Sequence, residues 1–162
     1  MKDAWRIAGV CALCLAASAG IAAAVAFTAV PPEEPRDGRG WVLEARRHMD
    51  ADRFADAARA YENGLAASRK VAGDAQVWCE LADAFGMAQG GSLEGRPAEL
   101  VRKALAINPN HPRALEMAGS AAYEAGDYPR ALLHWEQLLT QLAPGTGAHA
   151  ELAAAIARTR AL

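Results

Sequence analysis

The sequence predicts an all-α protein: a solenoid of helical hairpins with a C-terminal capping helix, preceded by one N-terminal transmembrane helix. Three observations predict it. The composition is 52% hydrophobic but only 6% aromatic. Alanine, the best helix former, supplies much of that excess, and strand-favouring residues are scarce after position 42. An uncharged apolar run extends from Ile7 to Val30. Beyond it, small and aromatic residues recur at the spacing of a two-helix repeat.

As a helix, the run from Ile7 to Val30 would extend roughly 36 Å, enough to cross the hydrocarbon core of a bilayer. It is read as a retained anchor. A cleaved signal peptide is the rival reading, with Ala24-Val25-Ala26 as its small-residue site. Both readings export the remainder. Lys2 and Arg6 precede the run, whereas PPEEPRDGR after it mixes both signs. That asymmetry favours a cytoplasmic N-terminus with the remainder outside, a single-pass arrangement. Cys11 and Cys14 fall inside the apolar run, where burial raises a thiol's pKa. Their C-A-L-C spacing is therefore read as two inert small side chains, which leaves Cys79 alone in the exported part.

Pro31, Pro32 and Pro35, with Glu33, Glu34, Asp37, Gly38 and Gly40, read as a short stiff linker over 31–40. The folded domain is then expected over 41–162, beginning near Trp41. Its clearest unit contains Trp78, Leu81, Ala82 and Phe85, the W-x2-L-[small]-x2-[aromatic] pattern of the first helix of a tetratricopeptide repeat; Ala104, Leu105 and Pro109 close it. The next unit is in phase with that proline. Leu115, Ala118, Gly119 and Ala122 fill its first-helix positions, Ala131 and Trp135 make the A-x3-aromatic pair, and Pro144 ends it. An earlier unit starts at Trp41, with Ala45 and then Ala57 and Tyr61. The units are placed at about 38–71, 75–111 and 112–145, with a capping helix at about 147–162 carrying Leu152, Ala153 and Ile156 on one face. Each unit is expected to be two antiparallel helices that cannot bury their apolar face alone. Asp52, Asp74 and Asn110 or His111 stand where N-caps belong, Pro112 and Pro129 suit first turns, and Gly126-Asp127 separates the helices of the third unit.

The second unit is about three residues longer than the standard repeat. Its extra length lies in GMAQGGSLEGRPAELVRK, where Gly90, Gly91 and Gly95 occupy the turn between helices. This glycine-bearing loop, the A-L-A-I-N-P and A-G that follow it and the later G-D-Y-P-R-A-L-L-H-W-E-Q-L-L together resemble the tetratricopeptide subunit of the cytochrome c maturation machinery, the CcmI, CycH and NrfG type. The resemblance covers roughly Trp41 to Leu162. It implies a periplasmic domain that recognises an apocytochrome c polypeptide through its C-terminal segment and presents the Cys-x-x-Cys-His region to the thiol-reducing and haem-ligating subunits. Longer members have two spans and an intervening cytoplasmic segment, whereas this chain shows one span.

In such an array the first helix of each unit lines the inner wall, with positions near 2, 5, 9 and 12 facing a peptide groove. That phase selects Arg39, Val42, Arg46 and Met49 from unit one and Gln76, Cys79 and Asp83 from unit two, with Met87 one position further on. Arg113, Glu116, Ser120 and Tyr123 come from unit three. Trp41, Trp78, Trp135, Tyr61 and Phe85 are read instead as packing between helices. His48, His111, His134 and His149 lack the spacing of a metal motif, and no Ser-His-Asp or paired-carboxylate arrangement is legible. No catalytic residue, metal or cofactor is expected. A net charge of −2 without a basic, aromatic-interleaved stripe argues against nucleic acid. The competing reading is a scaffold for another envelope assembly, such as a pilus or secretion machine. Thiol-disulfide exchange through Cys79 or Cys11-Cys14 is the enzymatic one.

Overall fold

The computed structural model describes residues 37–162. The expected membrane span and most of the proline linker lie outside the described residues. Among the described residues all regular structure is helical: α1 (Gly38–Asp50), α2 (Phe54–Ala67), α3 (Arg69–Ala72), α4 (Ala75–Ala88), α5 (Arg96–Ile107), α6 (Pro112–Glu124), α7 (Tyr128–Leu139) and α8 (Gly147–Arg160). None of these helices is long and apolar enough to cross a membrane. The pairs α1–α2, α4–α5 and α6–α7 pack as hairpins; α2 also packs on α4, α5 on α6, and α7 on α8.

Local chemistry places the helix ends. Asp37 caps α1 by accepting from the Gly40 backbone N–H at 2.7 Å, so Gly38 and Gly40, expected in the linker, lie in its first turn. Asp74 caps α4 through the Gln76 N–H at 2.9 Å. His111 caps α6, its Nδ1 accepting from the Ala114 N–H at 3.3 Å, and Asp127 caps α7 through the Arg130 N–H at 3.2 Å. Pro112 and Pro129 occupy first turns. Asp52 does not cap α2. It sits at φ 55° in the turn between α1 and α2, a left-handed conformation that Asp tolerates better than most residues, and Arg53 stands at the N-cap instead. The one-turn helix α3, capped by Ser68, is an element the repeat spacing did not anticipate.

Small residues bring the helices close together. Ala45, Ala57, Ala82, Ala104, Ala114 and Ala131 are each fully buried. A Cβ on Gly64 would meet the Gly38 carbonyl oxygen at 3.0 Å, which marks where α2 approaches α1. One core extends from Val42 on α1 to Met117 on α6, with Trp41, Trp78 and Phe85 packed against its edge. A second, smaller cluster joins Ala122, Ala131 and Trp135 to Ile156 of α8, with Leu152 beside it. The amphipathic face of α8 thus covers the open end of the third hairpin.

The longer connection between α4 and α5 is held by its own polar atoms and by the third hairpin. Gln89 Nε2 donates to the carbonyls of Ser92 and Glu94 at 2.7 and 3.1 Å. Glu124 Oε2, at the end of α6, accepts from the Leu93 N–H at 2.9 Å and from Ser92 Oγ at 3.3 Å. Gly90, Gly91 and Gly95 have φ of 83°, 95° and 70°, so the path of this loop requires residues without a Cβ.

Candidate peptide-binding wall

Helices α1, α4 and α6 carry all twelve residues the repeat phase selects. On α4 the outward stripe is Gln76, Glu80, Asp83 and Met87, a 4-3-4 spacing that stays on one helical face. Ala75, Cys79 and Ala82, each one residue earlier and so about 100° around the helix, form a buried stripe. Cys79, expected in the groove, is therefore corrected: it is 0% exposed and touches His111, with Sγ to Nδ1 at 3.9 Å. Burial first, then the nearby Asp83 carboxylate, push its thiol up to about 12. A thiolate at neutral pH is correspondingly scarce, which disfavours thiol exchange at this position. The residue that takes its place on the wall is Glu80.

Two cross-helix ion pairs run along this wall. Arg46 of α1 makes a two-pronged contact with Glu80 of α4, Nε to Oε2 at 3.0 Å and NH2 to Oε1 at 2.9 Å. Gln76 Nε2 adds a third donor to Glu80 Oε1 at 3.0 Å. Asp83 of α4 accepts both of its bonds from NH2 of Arg113 on α6, at 2.9 and 3.1 Å, while NH1 of Arg113 reaches Glu116 at 2.8 Å. Burial pushes the Glu80 carboxyl up, but the hydrogen bonds of Arg46, Gln76 and Tyr61 outweigh it and leave the group below its ordinary value. At Asp83 burial prevails over Arg113 and leaves the carboxyl raised.

These opposite directions predict opposite pH dependences. A depressed carboxyl contributes stability that is present above its unfolded pKa and lost as pH falls through the folded one; a raised carboxyl does the reverse. Between pH 7 and about 3.5, therefore, Glu80→Gln is expected to regain stability relative to wild type as the solution is acidified. Its deficit should be about 1 kcal/mol at neutrality. Asp83→Asn is expected to lose ground over the same window. Urea midpoints at several pH values check this, and slopes of the same sign for both variants would contradict it.

Two clefts open beside the ion pairs. The first, about 340 Å³, lies between α1, α3 and α4 and is lined by Arg39, Val42, Leu43, Arg46, Lys70, Val71, Asp74 and Val77. The second, about 500 Å³, lies between α6, α7 and α8; Arg113, Glu116, Ser120, Trp135, Leu138, Leu152 and Glu151 are among its lining residues. Arg39, Val42 and Arg46 thus meet at the first cleft, and Arg113, Glu116 and Ser120 at the second. Gln76 and Asp83 lie on the wall between them in the ion-pair network. Met49 is half-buried against the core and Met87 is exposed. Tyr123 stacks near Tyr128 and Trp135, with ring centroids 5.4 and 5.7 Å away. Neither methionine nor Tyr123 lines a cleft. Phase reasoning missed Leu43, Lys70, Val71 and Val77. Lys70 and Val71 belong to α3, whose single turn has too few residues to show a period. Among the described residues no group of three His, Cys, Asp or Glu side chains is placed to hold a metal ion.

Helical hairpins of this kind with a wall of first helices define the tetratricopeptide class. The chain superposes on the first tetratricopeptide domain of Spaghetti (RPAP3) bound to the HSP90 peptide SRMEEVD, with TM-score 0.64 and 15% identity, covering 80% of this chain and 97% of that one. It also superposes on the Sgt2 tetratricopeptide domain from Aspergillus fumigatus, with TM-score 0.61 and 18% identity, covering 75% and 77%. Those likenesses establish the fold alone. No family model matches the chain. In sequence, the similarity read above to the tetratricopeptide proteins of cytochrome c maturation is present. The chain is 29% identical over 127 residues, 78% of its length, to the cytochrome c-type biogenesis protein CycH of Pseudomonas aeruginosa. It is 30% identical over 109 residues, 67% of its length, to CycH of Bradyrhizobium diazoefficiens. The matches span only 30% and 29% of those relatives.

Proposed function

We propose that this protein serves cytochrome c biogenesis as a non-catalytic holder of apocytochrome c, gripping the C-terminal segment of its client and presenting the haem-attachment region to the haem-ligation and thiol-reduction subunits. The carrying observation is the similarity to two CycH proteins over most of the chain, joined to a helical wall with two open clefts. The wall suits a peptide: charged and amide groups alternate with apolar hollows, as recognition of an amphipathic segment requires. In this reading the run from Ile7 to Val30 is a single span of the inner membrane, the N-terminus is cytoplasmic, and the tetratricopeptide domain works in the periplasm beside the ligation machinery.

The test is titration calorimetry of the full chain in non-ionic detergent with a peptide of about 20 residues from the C-terminus of a c-type cytochrome of the same organism. Saturable micromolar binding is expected, weakened by Glu116→Lys at the second cleft. Absence of heat at peptide concentrations of about 100 μM would overturn the reading.

A further inference from the structure

The cleft between α6, α7 and α8 is formed by the last hairpin and the capping helix, and two of its features are left over once the ion pairs of the wall are made. One is a donor without an acceptor. Trp135 lines the cleft and is 8% exposed, yet its indole N–H has no hydrogen-bond partner among the described residues. Nε1 is the ring atom nearest the place a Cβ would take at Gly119, which sets it beside the stretch of α6 from Glu116 to Ser120, two residues that line the cleft. A donor so far withdrawn from water is costly until an acceptor reaches it. The other feature is charge. Arg113 is the one cation among the lining residues, and Asp83 and Glu116 both accept from it. Glu151 is exposed on α8 with no partner among the described residues. Counting Asp83 behind Arg113, one positive and three negative charges meet here, a net of −2. Arg158 stands about two turns further along α8 and Arg160 is held by Glu136 at 2.7 Å; neither lines the cleft.

We propose that this cleft, between the last hairpin and the capping helix, is a subsite for a basic amphipathic segment of the bound polypeptide. A Lys or Arg side chain of that segment pairs with Glu151 and Glu116, an apolar side chain rests on Leu138, Leu142, Leu152 and Ala155, and a backbone carbonyl accepts from Trp135 Nε1. The last turn of a helix meets all three demands, because its final carbonyls lack partners within the helix and cations favour that end. A hollow of about 500 Å³ is large enough for more than one side chain. The same negative charge disfavours a terminal carboxylate, so the chain end of the client lies elsewhere. The proposal rests on the holding role above for its client, but its chemistry is testable without one.

The experiment measures fluorescence anisotropy of the full chain in non-ionic detergent at low salt, with two labelled helix-forming peptides of about twelve residues, both amidated and sharing leucines at helical spacing. One carries lysines on its polar face; the other carries glutamines at the same positions. The basic peptide is expected to bind about tenfold more tightly, the sum of two exposed ion pairs. That advantage should fall to within about twofold in the Glu116→Gln/Glu151→Gln variant and persist in Glu94→Gln, a charge change in the α4–α5 loop away from the cleft. Equal affinities for the two peptides, or an advantage that survives the double substitution, overturn the subsite. On saturation with the basic peptide the indole N–H resonance of Trp135, assigned through Trp135→Phe, should move downfield as it gains an acceptor; a resonance that stays in place while the peptide binds also overturns it. A dimer of the chain that the basic peptide cannot dissociate, lost in the double variant, assigns the cleft to a second copy and overturns it too. A cytochrome peptide that binds wild type and double variant equally removes the subsite and leaves the holding role. Discrimination between the designed peptides without any cytochrome binding does the reverse.

Discussion

Gly119→Ala is expected to lower the unfolding free energy by about 2 kcal/mol although it replaces a helical glycine with the best helix former. Propensity alone would favour the variant by about 1 kcal/mol. Against this, a Cβ at Gly119 would fall inside contact distance of Nε1 and Cδ1 of the Trp135 indole. Flexible side chains can yield to such an intrusion. Trp135 is 8% exposed and wedged among Ala122, Ala131 and Ile156, with Tyr123 stacked nearby. Moving it opens the contact that seats α8. Overpacking of a filled site costs about 1–3 kcal/mol, and a rigid ring puts this case at the upper end or beyond. Thermal unfolding should drop by about 8 °C. A double-mutant cycle with Trp135→Leu gives the control: the two substitutions together should cost less than the sum of each alone. A Gly119→Ala chain as stable as wild type would show that α6 and α7 do not approach as closely as described.

Tyr61→Ala is expected to be more damaging, at about 4 kcal/mol, the loss typical of removing a buried aromatic ring. Tyr61 lies on α2, is 1% exposed, and fills the space between the first hairpin and α4. Such a loss is a large share of a domain's total stability of about 5–15 kcal/mol. The ring also reaches the wall, because its hydroxyl belongs to the Arg46–Glu80 network; burial, then the Glu80 carboxylate, hold that hydroxyl well above its ordinary pKa. Tyr61→Phe therefore separates the two roles. It should cost about 1.5 kcal/mol, the worth of a hydrogen bond to a charged group. Urea unfolding of the two variants measures both, and a Tyr61→Ala chain within 1 kcal/mol of wild type would contradict the described packing.

Much of the architecture was readable because it rests on size. Trp78, Leu81, Ala82 and Phe85 announce a first helix since small residues permit close crossing and the aromatic fills what remains. Gly119 and Trp135 are the same rule seen from both sides. The cap at Asp74, and one at Asn110 or His111, were legible from local hydrogen-bonding chemistry, whereas Asp127 read only as part of a break between helices. What escaped were choices that depend on neighbours far along the chain. Whether residue 79 or residue 80 faces outward depends on where α5 and α6 lie, and a position list stepping by threes and fours cannot resolve adjacent residues. The role of Glu80 follows from Arg46, thirty-four positions earlier. Lys70 and Val71 were invisible because α3 is a single turn, and Asp52 because a turn of left-handed backbone leaves the capping position one residue later.

The glycine loop between α4 and α5 has a mechanical consequence. Repeat arrays deform by changing the angle between successive hairpins, and resistance at each joint is local. Glu124 grips the loop of the second hairpin from the C-terminal end of α6, about three helical turns from Arg113, which starts the same helix and pairs with Asp83 of α4. That joint is braced at two separated points, like a hinge with two pins, so opening at one strains the other. Bending of the spiral is thereby displaced to its remaining joints, including the one where α8 closes over Trp135.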